Sequence, residues 1–251
     1  MRRSERRMAV LEYLNHEGTA SVAVLSKKFN VSEMTIRRDL DWLEDRGHLR
    51  RVYGGAMATS LASFALAFQA KAERFPEEKK RIGQAAAEMI KDGESVILDA
   101  GTTVLQMAKH LRDRRITVVT NSLQVLLELI SVTNVDILVI GGIFSRSALA
   151  TIGPHVGEFL KGICADKLFL GVEGVDVSNG LTVPDVIEAH SKKCLIQSAH
   201  RVYVLADHSK LGKSALHTIV PLSSVEAIIT DNGAPEEIVA RLTEHVEVIV
   251  A

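Results

Sequence analysis

From residue 94 onward, short apolar runs alternate with stretches of helical periodicity, and few folds can absorb that pattern. The runs cover residues 95–98, 116–119, 137–140, 167–170, 202–205, 227–229 and 246–250. A strand with one solvated face alternates apolar and polar side chains. A strand buried on both faces does not, so continuous runs of Val, Ile and Leu belong to a sheet covered on both sides. The intervening helices supply the cover and the crossovers. The pattern predicts an α/β domain with a mainly parallel sheet.

The first 56 residues lack such runs and read as three helices and a hairpin. Met8, Leu11, Tyr13 and Leu14 recur at roughly helical spacing, and Gly18 stops that helix. A second helix is expected over about 21–29, with Val24, Leu25 and Phe29 inward, and Asn30-Val31 makes the turn. Ser32 is placed to N-cap a third helix, on which Ile36, Leu40 and Leu43 form one apolar stripe. Gly47 ends it, and residues 48–53 followed by Gly54-Gly55 read as a β-wing. The expected fold is therefore a mainly α winged helix-turn-helix over 1–56 and an α/β domain over 77–251. Residues 57–76 are read as a connector whose Leu61, Phe64, Ala65 and Phe68 suggest a helix; Pro76, Glu77 and Glu78 open the next helix.

Charge is divided along the chain. The net charge is −1, but residues 1–56 carry 11 Lys/Arg against 8 Asp/Glu, so the front is basic and the remainder acidic. That split favours an anionic partner for the front segment. Two cysteines, Cys164 and Cys194, stand thirty positions apart without clustered ligands, so neither a metal site nor a disulfide framework is expected. No stretch reaches the roughly 18–20 apolar residues of a bilayer span, and the basic N-terminus leads into a mixed helical pattern instead of a signal-peptide run. The cytoplasm is the expected location, with no membrane partner.

If Ile36, Leu40 and Leu43 face a core, Met34, Arg38 and Asp41 lie on the opposite side of the third helix, flanked by Glu33 and Arg37. Helical charge runs are usually solvated faces. Here turn, capping serine, paired arginines, stop glycine and basic hairpin follow in the order of a helix-turn-helix, whose second helix enters the major groove of DNA. Ser32, Met34, Thr35, Arg37 and Arg38 are the expected groove contacts, with Lys27, Arg50 and Arg51 on flanking phosphates.

Polar clusters follow the apolar runs of the second domain. They are Asp99 to Thr103, Thr120-Asn121-Ser122, Gly141-Gly142, Gly171 to Gly174 and Ala206 to Lys210. In an open parallel sheet all of them fall on the carboxyl edge, where ligands bind. Gly101 with Thr102 and Thr103 suits an anion, Asn121, Ser122 and Lys210 could complete a phosphate site, and Asp99 can accept sugar hydroxyls. Gly142, Asp185 and Glu188 complete the expected effector set; Asp185 is as readily a local helix cap. No GxGxxG or Walker loop occurs, so a dinucleotide or ATP is disfavoured, and no cofactor is expected.

The run from Val31 to Leu40, with Leu43-Glu44, Gly47, Leu49 and Gly54-Gly55, resembles the DeoR family of bacterial sugar-metabolism regulators. The resemblance continues through Asp99 to Thr103, Thr120-Asn121-Ser122, Gly180-Leu181-Thr182, Pro184-Asp185, Glu188-Ala189 and Ala206 to Lys210. It implies operator contacts by Thr35, Arg37 and Arg38, repression of a carbohydrate-utilisation operon, and a sensor similar to sugar-phosphate isomerases that binds a phosphorylated sugar or polyol. Glu173, where Asp is frequent, and Val104, where Thr is frequent, depart from the family pattern. The expected assembly is a homo-oligomer, dimer or tetramer, on double-stranded operator DNA. The competing readings are a sugar-phosphate isomerase with an appended DNA-binding head, using Asp99 or Glu188 as base beside Lys210, and a ligand-independent architectural DNA binder.

Overall fold

The computed structural model describes residues 3–46, 48–58, 68 and 70–251, without the side chains of Asn15, His16 and Ala58. The chain divides into two compact units, 1–71 and 72–251. Gly47 and residues 59–67 and 69 lie outside the described residues, and with them the expected helix stop and most of the expected connector helix.

In the first unit, α1 (Arg3–Glu17), α2 (Val22–Phe29) and α3 (Glu33–Glu44) pack with a small antiparallel sheet. Its strands are β1 (Thr19–Ser21), β2 (Leu49–Val52) and β3 (Gly55–Ala58), in the order β1-β3-β2. Val10, Leu14, Val22, Leu25, Ile36, Leu40, Leu43, Leu49 and Ala56 form one buried core. Two serines start helices: Ser21 Oγ accepts from the Val24 amide and Ser32 Oγ from the Thr35 amide, each at 3.2 Å. Between them, Asn30 adopts the left-handed conformation that ends α2. The inward face of α2 differs from expectation. Val22, one turn before Leu25, is buried, and Val24, a 100° step away, is exposed. Strand β1 was not expected; it is three residues long and has no apolar alternation.

In the second unit, seven strands form one all-parallel sheet: β4 (Ser95–Leu98), β5 (Ile116–Thr120), β6 (Val135–Val139), β9 (Ala165–Gly171), β12 (Ala199–Leu205), β14 (Ala227–Thr230) and β15 (Glu247–Val250). Each predicted apolar run falls in or against one of them. Successive side chains serve opposite faces. Val96, Leu98, Val118, Phe169, Tyr203 and Ile229 pack with α4 (Pro76–Glu88), α5 (Thr102–Ala108) and α6 (Leu123–Leu129). Ile97, Val119, Leu168, Leu170, Val204 and Ile228 pack with α7 (Pro154–Leu160), α8 (Val186–Gln197) and α9 (Glu236–Thr243). Two antiparallel additions were not expected: the hairpin β7 (Ile143–Ser145) with β8 (Ala150–Ile152), and a sheet of β10 (Gly174–Asp176), β11 (Gly180–Val183) and β13 (His217–Val220).

The strand order, β15-β14-β12-β9-β4-β5-β6, positions the site. From β4 the chain steps outward through β5 to β6, then crosses back to β9 and proceeds the other way to β15. The order reverses between β4 and β9, and the carboxyl ends of those two strands frame a crevice.

Candidate functional site

Helix α3 presents a continuous polar face. Ser32, Glu33, Met34, Arg37 and Arg38 are exposed, Thr35 is half-buried, and Ile36, Leu40 and Leu43 point inward. The Ser32 and Thr35 hydroxyls lie 2.9 Å apart. Arg37 makes a loose pair with Glu33 at 3.3 Å, so its guanidinium is easily released. Lys27, in the last turn of α2, and Arg50, on β2, are exposed.

Arg51 is placed differently from the other expected contacts. Its guanidinium pairs with Asp41 and donates to the carbonyls of Arg37 and Gly55, and its amide donates to Glu44 at 2.6 Å. It ties the wing to α3. At the wing tip Tyr53 is fully exposed beside Gly54. An aromatic ring held in water is a surface a partner can cover, and a lone tyrosine between two glycine-flanked strands gave no periodic signal in the sequence.

Asp39 shows what orients α3. It is buried and accepts from Arg6 Nε at 2.6 Å and Arg7 Nε at 2.9 Å, both on α1. Arg7 and Arg46 also lie over the Trp42 ring, at 4.1 and 3.8 Å from its centre. The acidic residue next to the arginine pair thus faces the protein, away from the exposed Arg37 and Arg38.

The crevice of the second unit is built on Asp99, one residue past β4 and 1% exposed. Its Oδ2 accepts from the Gly171 amide at 3.1 Å and from Lys192 Nζ at 2.5 Å. Lys192, on α8, also donates to the Gly171 carbonyl at 2.9 Å and lies 3.4 Å from Glu188. Burial alone would lower the Lys192 pKa, but the Asp99 and Glu188 carboxylates outweigh it and raise it. The ammonium is therefore charged near neutrality. Gly171 has no alternative here, because a Cβ would lie 2.7 Å from the Ala100 carbonyl oxygen. Gly101 packs against the same Gly171 backbone, and Thr102 and Thr103, both buried, open α5.

Two buried acceptors in this region have no hydrogen-bond partner, Asp99 Oδ1 and Asn121 Oδ1. The residues preceding them, Leu98 and Thr120, are register partners on adjacent strands, so both acceptors stand at the same edge. Asn121 Nδ2 is used, donating to the Thr151 carbonyl at 3.1 Å. Buried acceptors cost free energy when empty and are a natural place for a donor-rich ligand.

The remaining expected effector residues are engaged within the protein. Ser122 Oγ caps α6 by accepting from the Val125 amide. Asp185 caps α8, accepting from the amides of Ile187 and Glu188 at 2.9 Å each. Gly142 serves a close approach, since a Cβ would lie 2.8 Å from the Ile152 carbonyl oxygen. Lys210 pairs with Glu173 at 2.6 Å. The structure therefore gathers Asp99 and Glu188 around a residue the sequence did not single out. Lys192 had only one signal, its i,i+4 spacing from Glu188, which ordinary surface pairs share. Among the described residues no group of three or more His, Cys, Asp or Glu is placed to hold a metal ion, and no helix is long and apolar enough to cross a membrane.

A helix-turn-helix head followed by an α/β unit with a crevice at its strand-order reversal defines a class of protein, the transcriptional regulators that carry a sensor domain. Residues 6–61 match the DeoR-like helix-turn-helix domain and residues 74–232 the DeoR C-terminal sensor domain, and the chain belongs to the DeoR family. Similar proteins include an uncharacterised HTH-type transcriptional regulator, YulB, of Bacillus subtilis, 36% identical over 92% of this chain and 89% of its own length. A putative aga operon transcriptional repressor of Escherichia coli O157:H7 is 33% identical over 98% of this chain and 93% of its own. Among solved structures, a D-ribose-5-phosphate isomerase in complex with phospho-erythronic acid is similar over 54% of this chain and 53% of its own, at 21% identity and a TM-score of 0.41.

Proposed function

We propose that this protein represses a carbohydrate-utilisation operon and that a phosphorylated sugar or sugar alcohol, bound at the crevice between β4 and β9, controls its affinity for the operator. The observation that carries the sensor half is Asp99. It is buried at the strand-order reversal, held through one oxygen by Lys192 and Gly171, and left with a free oxygen beside the free Asn121 oxygen. Those two acceptors suit ligand hydroxyls. The backbone amides that open α5, with Thr102 and Thr103, suit a phosphate, and Lys210, which follows β12 and pairs with Glu173, is a further cation after the carboxyl end of a strand. The relative named as a putative aga operon repressor supports the repressor half of this reading.

In the head, the N-terminal half of α3 enters the major groove. Arg37 and Arg38 read base edges, Met34 and Thr35 give apolar contact, Lys27 and Arg50 meet phosphates, and Tyr53 extends the wing contact. Arg51 acts by fixing the wing. Two heads of a homo-oligomer read a two-part operator, and the 57–76 connector carries the signal between units. A coupling of about 3 kcal/mol changes DNA affinity roughly 150-fold. Relatives covering 92% and 98% of this chain are named as regulators, which favours this function over a sugar-phosphate isomerase.

Thermal unfolding with a panel of phosphorylated sugars and polyols tests the sensor. A ligand at 100 times its Kd adds about 2.7 kcal/mol of stability. The expected result is a raised midpoint with one class of compound and none in Asp99→Ala. No shift with any compound contradicts the assignment.

A further inference from the structure

Helix α4 starts against two local rules. Its N-cap is Phe75, which offers no side-chain acceptor to the first turn. The same residue sits at φ 55° and ψ 52°, left-handed backbone that a bulky side chain rarely adopts. Asn or Gly would serve the position better on both counts. A residue that breaks both rules is held in place by something outside its own element.

What holds it is His208. The two rings meet edge to face with centroids 4.4 Å apart. The imidazole is itself fixed, because its Nδ1 lies 2.8 Å from Oδ2 of the fully buried Asp231. The other oxygen of Asp231 accepts from the His208 amide, also at 2.8 Å. Gly233 leaves the ring its room, since a Cβ there would lie 2.8 Å from Nδ1. On the chain side, the buried Lys79 donates from Nζ to the Arg74 carbonyl at 2.6 Å, and the Arg74 guanidinium lies 5.7 Å from the centre of the Phe75 ring. Helix α4 does not need this contact to stay in place. Ile82, Ala86 and Ala87 sit in the core, and Arg81 donates to Asn232 at 3.0 Å. The Phe75 ring therefore fixes the chain ahead of α4, which is the end of the connector.

The seat of the ring is joined to the crevice. His208 opens a single 3-10 turn, His208–Lys210, closed by the Lys210 amide donating to the Asp207 carbonyl at 2.9 Å. At the far end of that turn Lys210 pairs with Glu173, two residues past Gly171, whose amide donates to Asp99. Strands β12 and β9, which lead into these two segments, pair Leu205 with Gly171. We propose that Phe75 is a latch on the connector: seated on His208 it holds the chain ahead of α4 to the carboxyl edge of the sheet, and operator affinity changes when it is unseated. The inference rests on the repressor reading and adds the residues through which the sensor grips the connector. Both rings act as positioning residues, and neither has to touch DNA or effector.

Two measurements on the full chain test it. Limited trypsin digestion with mass spectrometry reads the rate of cleavage after Arg74, and fluorescence anisotropy reads affinity for the chain's own upstream DNA. Phe75→Gly takes up the left-handed backbone without strain and removes only the ring. His208→Ala removes the seat, Phe75→Tyr keeps a ring, and Leu216→Ala is the control at an 81% exposed residue. Cleavage after Arg74 is expected to rise about tenfold or more in Phe75→Gly and His208→Ala, because proteolysis follows the population of the open form. Their operator affinity is expected to shift about fivefold or more, with Phe75→Tyr and Leu216→Ala matching the wild type in both readouts. Unchanged cleavage in Phe75→Gly would overturn the latch, and faster cleavage at unchanged affinity would overturn its control of DNA binding. A Phe75→Tyr variant as disturbed as Phe75→Gly, or a Phe75→Gly second unit already unfolded at the assay temperature, would overturn it too. A wild type that selects its operator while every variant matches it defeats this inference alone, whereas a wild type that selects no sequence defeats the repressor reading and this control with it.

Discussion

Two buried carboxylates, one in each unit, show how single residues set the geometry on which function depends. Asp39 joins α1 to α3 through two arginines and so holds the two helices together. Asp39→Ala leaves both guanidinium groups without their acceptor and is expected to destabilise the head by about 2 kcal/mol. Trp42 is the only tryptophan of the chain and sits on α3 against Arg7, so urea unfolding followed by its fluorescence reads the head selectively. Asp99 and Lys192 form the second case. Lys192→Met strands a buried carboxylate and should cost about 3–5 kcal/mol, most of it recovered in the Asp99→Asn, Lys192→Met double variant. Equal midpoints for the two variants would contradict the pairing.

The same scale fixes the response to pH. The raised pKa of Lys192 keeps its contribution fully present below the ordinary lysine value and loses it only as pH rises through the folded value, so it is silent near neutrality. Asp231 behaves in the opposite sense. Burial pushes its pKa up, but the amides of His208 and Gly233 and the His208 ring, at 2.8 Å, hold it below the usual carboxylate value. Its contribution is present above that usual value and disappears as pH falls through the folded one. Second-unit stability should therefore decline below about pH 4, less steeply in Asp231→Asn. An Asp231→Asn variant with the wild-type acid limb would contradict this.

At the scale of elements, α3 depends on its cap. Ser32→Ala removes the oxygen that accepts from the Thr35 amide and should cost about 1 kcal/mol. Arg38→Ala should weaken binding to the preferred operator by 1–3 kcal/mol and relax selectivity, while Arg50→Ala weakens all sequences alike and reduces the salt slope by about one. Competition titrations against random DNA separate the two. Helix α3 and the seven parallel strands were legible because each rests on local chemistry: a capping serine, a stripe at three- and four-residue spacing, runs buried on both faces. Strands β10, β11 and β13 were not. They are three or four residues long, and two of them begin at a glycine that periodicity cannot assign. The crevice was legible only as a set of polar ends on one edge. Which two strands frame it depends on strand order, a long-range fact, and so Lys192 stayed hidden while Ser122, Asp185 and Gly142, engaged in caps and a close approach, stood out.

At the scale of the whole molecule, the division of charge matches the division of labour. The basic head carries the exposed arginines and the acidic second unit carries the crevice, so the proposed function assigns DNA and an effector to different units. Control then requires that the two binding events share free energy, and that is the central claim. The most direct test is fluorescence anisotropy of the purified chain on its own upstream DNA, with and without phosphorylated sugars and polyols. Sequence-selective binding that one compound shifts by about tenfold or more, with Asp99→Ala binding DNA but ignoring the compound, is the predicted result. Failure to select any DNA sequence at moderate salt, or selective binding that no such compound alters, would contradict it.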